Sequence, residues 1–112
     1  MEKRESARYA VELPVSFSGT KAAGGGMTRA LSAHGCTVVS DDLVQPQTSV
    51  ALRIELPGQY APLKVDLAEV RWVRGQEFGL EFQRLRLEER KRLEQFLGAL
   101  ARAQGGGQKQ AG

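Results

Sequence analysis

The feature that most limits what this chain can fold into is a change of hydrophobic period along its length. In four short runs the apolar residues recur at every second position: Val11, Leu13, Val15 and Phe17; Val50, Leu52, Ile54 and Leu56; Leu63, Val65 and Leu67; Phe78, Leu80 and Phe82. A spacing of two puts such side chains on one face of an extended strand, over a core. After Leu87 the spacing changes, and Leu93, Phe96, Leu97 and Leu100 form a stripe on one face of a helix expected from about Leu87 to Arg102. Glu88 and Arg92 stand at the i, i+4 separation that pairs opposite charges on such a helix.

One run breaks its own rhythm. Ala68, Val70 and Trp72 continue Leu63, Val65 and Leu67 in the opposite phase, so a bulge or bend is expected near Leu67 or Ala68. In that phase Trp72 reads as an inward residue. Pro14 in the first run predicts an edge or a bulge, because proline has no N–H to give to a ladder.

Turn signals separate the runs. Gly19 to Gly26, with its three consecutive glycines, predicts a hairpin loop leading into a second strand from about Met27. A phosphate-binding P-loop is excluded there, since Met27-Thr28-Arg29 follows the glycines where Lys-Ser/Thr and a helix start would be needed. A turn at Ser32 to Gly35 precedes a short strand over Cys36 to Val39, and connections follow at Ser40-Asp41-Asp42, Gln45-Pro46-Gln47, Pro57-Gly58 and Arg74-Gly75-Gln76. The expectation is a mainly β fold, a six-stranded antiparallel barrel with a C-terminal amphipathic α-helix. Residues 1–10 read as a flexible basic arm, 11–103 as the barrel and helix, and 104–112 as a disordered tail.

Several function classes are excluded at this point. With 112 residues and 41% hydrophobic content the chain can bury one modest core. No apolar stretch approaches the roughly 20 residues of a membrane span, and MEKRESARY lacks the apolar region of a signal peptide, so a cytoplasmic protein is expected. Cys36 and His34 are the only cysteine and histidine, which rules out an intramolecular disulfide and a Cys/His metal cage; no metal and no cofactor are expected. Cys36 itself reads as a buried thiol. Ser32 and His34 on one tight turn make poor nucleophile-and-base geometry, and no enzyme activity is expected. The net charge of +3 comes from basic and acidic residues interleaved, and the strands carry no row of exposed aromatics, so nucleic acid is not an expected partner.

Two short motifs remain. Arg4-Glu5-Ser6-Ala7-Arg8 stands just before the first strand, and Ala30-Leu31-Ser32-Ala33-His34-Gly35 falls at a strand turn some twenty residues later. Together they resemble the two signatures of PilZ domains, bacterial receptors for the second messenger cyclic di-GMP. The first matches RxxxR in full. The second, Asp or Asn-x-Ser-x-x-Gly in that family, matches at Ser32 and Gly35 and departs at Ala30. The resemblance extends to the Val70-x-Trp72 strand, the Gly79-x-x-Phe82 strand and the closing helix.

This resemblance implies a bacterial cytoplasmic protein that binds cyclic di-GMP through Arg4, Arg8, Ser32 and Gly35, and relays binding to a partner protein as the arm closes over the ligand. Lys3, Ala30, His34 and Trp72 are secondary candidates for ligand contact. Arginine suits the role because its planar fork of donors matches phosphate oxygens and the guanine O6/N7 edge and also stacks on bases. Ser32 offers a short hydroxyl, and Gly35 permits a close backbone approach or a positive φ. Alanine at position 30 removes a hydrogen bond worth roughly 1.5–3 kcal/mol to a charged partner. The alternative is a degenerate adaptor of the same fold that has lost the ligand and keeps protein contacts.

Overall fold

The computed structural model describes residues 7–105; Lys3 and Arg4 of the arm, and the tail beyond Gly105, lie outside the described residues. The elements are β1 (Tyr9–Ala10), β2 (Pro14–Ser18), β3 (Ala23–Leu31), β4 (Gly35–Val39), β5 (Ser49–Ile54), β6 (Leu63–Arg74), β7 (Glu77–Arg84) and helix α1 (Leu87–Leu100), which runs on into a π-helical stretch, Ala101–Gly105.

All strand pairs are antiparallel. β3 pairs with β2 through its first half and with β4 through its second, so the order β3-β2-β5-β6-β7-β4 closes on itself as a six-stranded barrel. Closure leaves no open edge among these six strands. β1 is an added two-residue strand on β3, pairing Tyr9 with Leu31 and Ala10 with Ala30, inside the segment expected as arm.

The interior is filled by the alternating residues expected from the sequence. Leu13, Val15, Phe17, Val50, Leu52, Ile54, Leu56, Leu63, Val65, Val70, Phe78 and Leu80 are all buried. Phe17 meets Phe78 edge to face, ring centroids 5.5 Å apart and planes at 87°, the arrangement that aromatic quadrupoles favour. From α1, Leu93 and Leu97 enter the core, with Phe96 and Leu100 packed against it. Burying Leu93 alone is worth about 1.5–3 kcal/mol. Arg92 ties the helix down by donating to the Pro62 carbonyl at 3.1 Å and pairs with Glu89, one residue away from the Glu88 expected from spacing.

The predicted bulge is present, since the β6–β7 register shifts between Leu67 and Ala68. Pro14 opens β2, the one interior-sheet position where its missing N–H costs nothing. The chain before it, Val11 to Leu13, is held by buried Thr28, whose hydroxyl accepts from Leu13 N at 2.9 Å and donates to Val11 O at 2.6 Å.

The glycine run is not a loop. Gly24, Gly25 and Gly26 lie within β3, paired with Phe17, Ser16 and Val15, and the turn is confined to Gly19–Ala22. Their missing side chains let the 40–42 loop lie on the strand: Asp42 Oδ2 accepts from Gly25 N at 3.0 Å, and Ser40 Oγ donates to Gly25 O at 2.6 Å. Glycine in a strand thus marks a close approach here and not flexibility.

Candidate functional site

Two neighbouring rows of residues cross β3, β4, β7 and β6. Leu31, Cys36, Leu80 and Val70 are register partners in sequence and all point into the core. The next row, Ala30, Thr37, Gly79 and Trp72, is likewise in register. Because successive residues of a strand face opposite sides, this second row lies on the outer surface. Its members are a methyl group, a small hydroxyl and a hydrogen, followed by an indole. The result is a shallow floor with a wall at one end.

That floor and its surroundings form a cavity of about 240 Å³ lined by Arg8, Ser32, His34, Gly35, Thr37, Arg71, Trp72 and Glu81, among others. Five residues singled out from the sequence, Arg8, Ser32, His34, Gly35 and Trp72, therefore meet at one place. Ala30 stands just beyond the cavity, between Ala10 and Thr37.

Arg8 reaches over the floor and donates from Nη2 to Thr37 Oγ1 at 3.1 Å. A guanidinium has five N–H donors, and among the described residues this bond to Thr37 is the one it makes. The Ser32–Gly35 turn holds itself together. Ser32 N donates to Gly35 O at 2.9 Å, and the Ser32 hydroxyl accepts from His34 N at 3.2 Å and donates to Gly35 O at 3.3 Å. His34 is exposed at the tip. From the helix, Arg90 donates to Ala33 O at 3.4 Å, so α1 helps to hold the turn in place.

Gly35 is required for packing. A Cβ at this position would run into the Leu80 carbonyl on β7, and the residue is absent from the positive-φ positions, which are Gln47, Gly58 and Gly75. Of the two roles open to Gly35, close approach is the one it performs.

Trp72 departs from the expected inward orientation. A second bulge, between Val70 and Trp72, takes up Arg71 as an extra residue, which turns Trp72 outward and lets Val73 pack against the core instead. The half-buried indole lies over Gly79, where a Cβ would collide with it, and the Arg74 guanidinium stands 5.2 Å from its ring centroid.

Three site residues escaped the sequence reading: Thr37, Arg71 and Glu81. Thr37 alternates with the inward Cys36 and Val38, and that alternation identifies its face. Arg71 is marked by the three-residue spacing of Val70 and Val73, which requires an extra residue between them. Glu81 has no such sign. It pairs with Arg71 at 3.0 Å, and Glu69 lies 3.4 Å from the same nitrogen, so the arginine is shared between two carboxylates beside the cavity.

The Cys36 thiol is inward, and burial pushes its pKa up to about 12. It is an inert core group, not a nucleophile. Among the described residues no helix is long and apolar enough to cross a membrane, and no group of three or more His, Cys, Asp or Glu side chains could hold a metal ion.

Comparison with known proteins agrees with this geometry. The PilZ domain family model matches residues 2–99. Among solved structures, the Bacillus subtilis inhibitor of motility MotI/DgrA is similar at a TM-score of 0.73 and 22% identity over 96% of this chain, which spans about half (54%) of that protein. The PilZ domain of CeSA from a cellulose-synthesizing bacterium has a TM-score of 0.66 at 19% identity, covering 85% of this chain and 98% of that one. The PilZ domain of YcgR from Escherichia coli, solved with cyclic di-GMP, also has a TM-score of 0.66, at 13% identity over 91% and 94% of the two chains. No curated sequence matches at a significant level. A family match over nearly the whole chain and a closed six-stranded barrel with its C-terminal helix lead to one assignment: the chain belongs to the PilZ family of non-catalytic cyclic di-GMP receptor domains.

Proposed function

We propose that this domain binds cyclic di-GMP on the Ala30–Thr37–Gly79–Trp72 floor and relays binding to a partner protein by closure of its N-terminal arm. The observation that carries the reading is the position of Arg8. It belongs to the RxxxR arm, yet it is already bonded to the floor, within one cavity with Ser32, Gly35 and Trp72.

The chemistry matches a cyclic dinucleotide. Ala30 and Thr37 leave room for a flat base beside the indole that covers Gly79, and Trp72 offers aromatic surface for stacking, worth about 1–3 kcal/mol per base in related settings. Arg8, joined by Arg4 and Lys3, supplies charge-assisted donors to phosphate oxygens and to the guanine O6/N7 edge. Ser32 and Gly35 shape the turn beside the phosphates, and His34 extends from its tip. At about 240 Å³ the cavity is smaller than the roughly 300–1,000 Å³ of typical enclosing pockets. It would take one end of the ligand, the remainder being covered by the arm.

Titration calorimetry with cyclic di-GMP tests this. Heat with a single transition is expected, and Arg8→Ala should weaken binding by about one to two decades, the worth of a charged hydrogen bond. Absence of heat up to high micromolar ligand would instead favour the second reading, an adaptor that acts through protein contacts alone. That reading has its own support in Ala30, whose methyl group cannot hydrogen-bond, and in the Ser32 hydroxyl, which is engaged within its own turn.

A further inference from the structure

The geometry points to Thr37 as the side chain that reads the guanine base in this protein, donating from β4 a hydrogen bond of its own beside Ala30 on β3, whose methyl group makes none. The inference rests on the proposed cyclic di-GMP site and specifies how that site recognises its ligand.

Register supplies the first observation. Thr37 is the direct cross-strand partner of Ala30 on the outer face, and the next residue along the same row is Gly79. Side chains of opposed residues in an antiparallel pair are close neighbours. A ligand lying against Ala30 is therefore also within reach of the side chain at position 37.

The second observation is an unspent donor. Thr37 is only 4% exposed, and its oxygen accepts from Arg8. A threonine hydroxyl also carries one O–H to donate. Among the described residues no acceptor takes it, although the residue lines the cavity. Buried polar groups are paired in the great majority of cases, and an exception at a cavity wall calls for a partner. Here the missing partner is a ligand acceptor.

The chemistry then selects the base. Arg8 Nη2 and Thr37 Oγ1 lie 3.1 Å apart, two donors side by side. Guanine presents two acceptors, O6 and N7, on one edge; adenine presents N7 beside an amino donor. An adjacent pair of donors accepts guanine and meets adenine donor to donor. Thr37 thus contributes to affinity and to the choice of purine.

The test is calorimetry with cyclic di-GMP and cyclic di-AMP on the unsubstituted chain, Thr37→Val and Thr37→Ser. Thr37→Val should lower cyclic di-GMP affinity by about five- to tenfold and narrow the margin over cyclic di-AMP by a similar factor. Thr37→Ser, which keeps the hydroxyl, should bind within about twofold of the unsubstituted chain. Combining Thr37→Val with Arg8→Ala should weaken binding beyond Arg8→Ala alone. If Thr37→Val binds as the parent does, or has no effect once Arg8 is gone, or lowers both ligands equally, the assignment is overturned while the cyclic di-GMP site stands. No binding by the unsubstituted chain overturns both.

Discussion

The indole of Trp72 lies directly on Gly79, its cross-strand partner, with the space a Cβ would need already taken by the ring. The wall of the cavity therefore exists only because position 79 has no side chain. Gly79→Ala should push the indole out of place and cost about 1–3 kcal/mol through overpacking. A melting curve and the emission of the single tryptophan would register both effects, and cyclic di-GMP affinity should fall with them. Unchanged emission together with unchanged stability would show that the ring is not seated on Gly79.

Glu81 holds Arg71 at 3.0 Å beside the cavity, and both side chains are about half exposed. An exposed pair of this kind contributes little to stability. It does place a negative charge where a phosphate would approach. Glu81→Gln should raise affinity for cyclic di-GMP by about fivefold, the effect of about 1 kcal/mol between unit charges at close range in water. Calorimetry at low and high salt would check it, the gain shrinking as salt rises; weaker binding would assign Glu81 to ligand contact.

Thr28 is fully buried and satisfies two backbone groups of the segment that leads out of the arm, Leu13 N and Val11 O. Thr28→Val keeps the shape and removes both bonds. The buried Leu13 N left unpaired costs about 1–3 kcal/mol and the part-buried Val11 O less, so a loss of about 2–4 kcal/mol is expected in urea denaturation. The larger consequence would be a looser root for the arm, seen as faster proteolysis near Val11.

Cys36 gives stability a dependence on alkaline pH. Burial raises its pKa from an ordinary 9.0 to about 12. Above about 9 the unfolded chain releases the thiol proton and the folded chain retains it, so unfolding is increasingly favoured until about 12, where the folded form also ionises. The contribution is whole below the lower value and lost between the two. Denaturation midpoints measured across that window should fall more steeply for the parent than for Cys36→Ala, whose stability starts lower because of the cavity. Parallel slopes would place the thiol in contact with water.

How far the sequence could be read depended on whether a residue's role was local. Val15 and Phe17, Val50 to Leu56 and Leu93 to Leu100 declared their faces by period alone, because one-sided burial imposes that period on strand or helix. Gly24 to Gly26 misled, since glycine is common to loops and to strands approached closely by another segment; only Asp42 and Ser40, more than a dozen residues later, distinguish the two. Trp72 misled for a related reason. Alternation assigns it inward, and the extra residue at Arg71 that turns it outward is a property of pairing with β7.

By itself, then, the sequence determined a barrel with a closing helix, the Arg8 arm, the Ser32–Gly35 turn and the absence of a polar side chain at Ala30. Those follow from period, turn chemistry and residue type, which act over a few positions. Tertiary structure alone decided that Arg8 bonds to Thr37, that Thr37 stands beside Ala30 with no acceptor for its hydroxyl among the described residues, and that Trp72 faces outward over Gly79. Register between strands far apart in the chain determines those contacts, and a single bulge is enough to reverse which face a side chain takes.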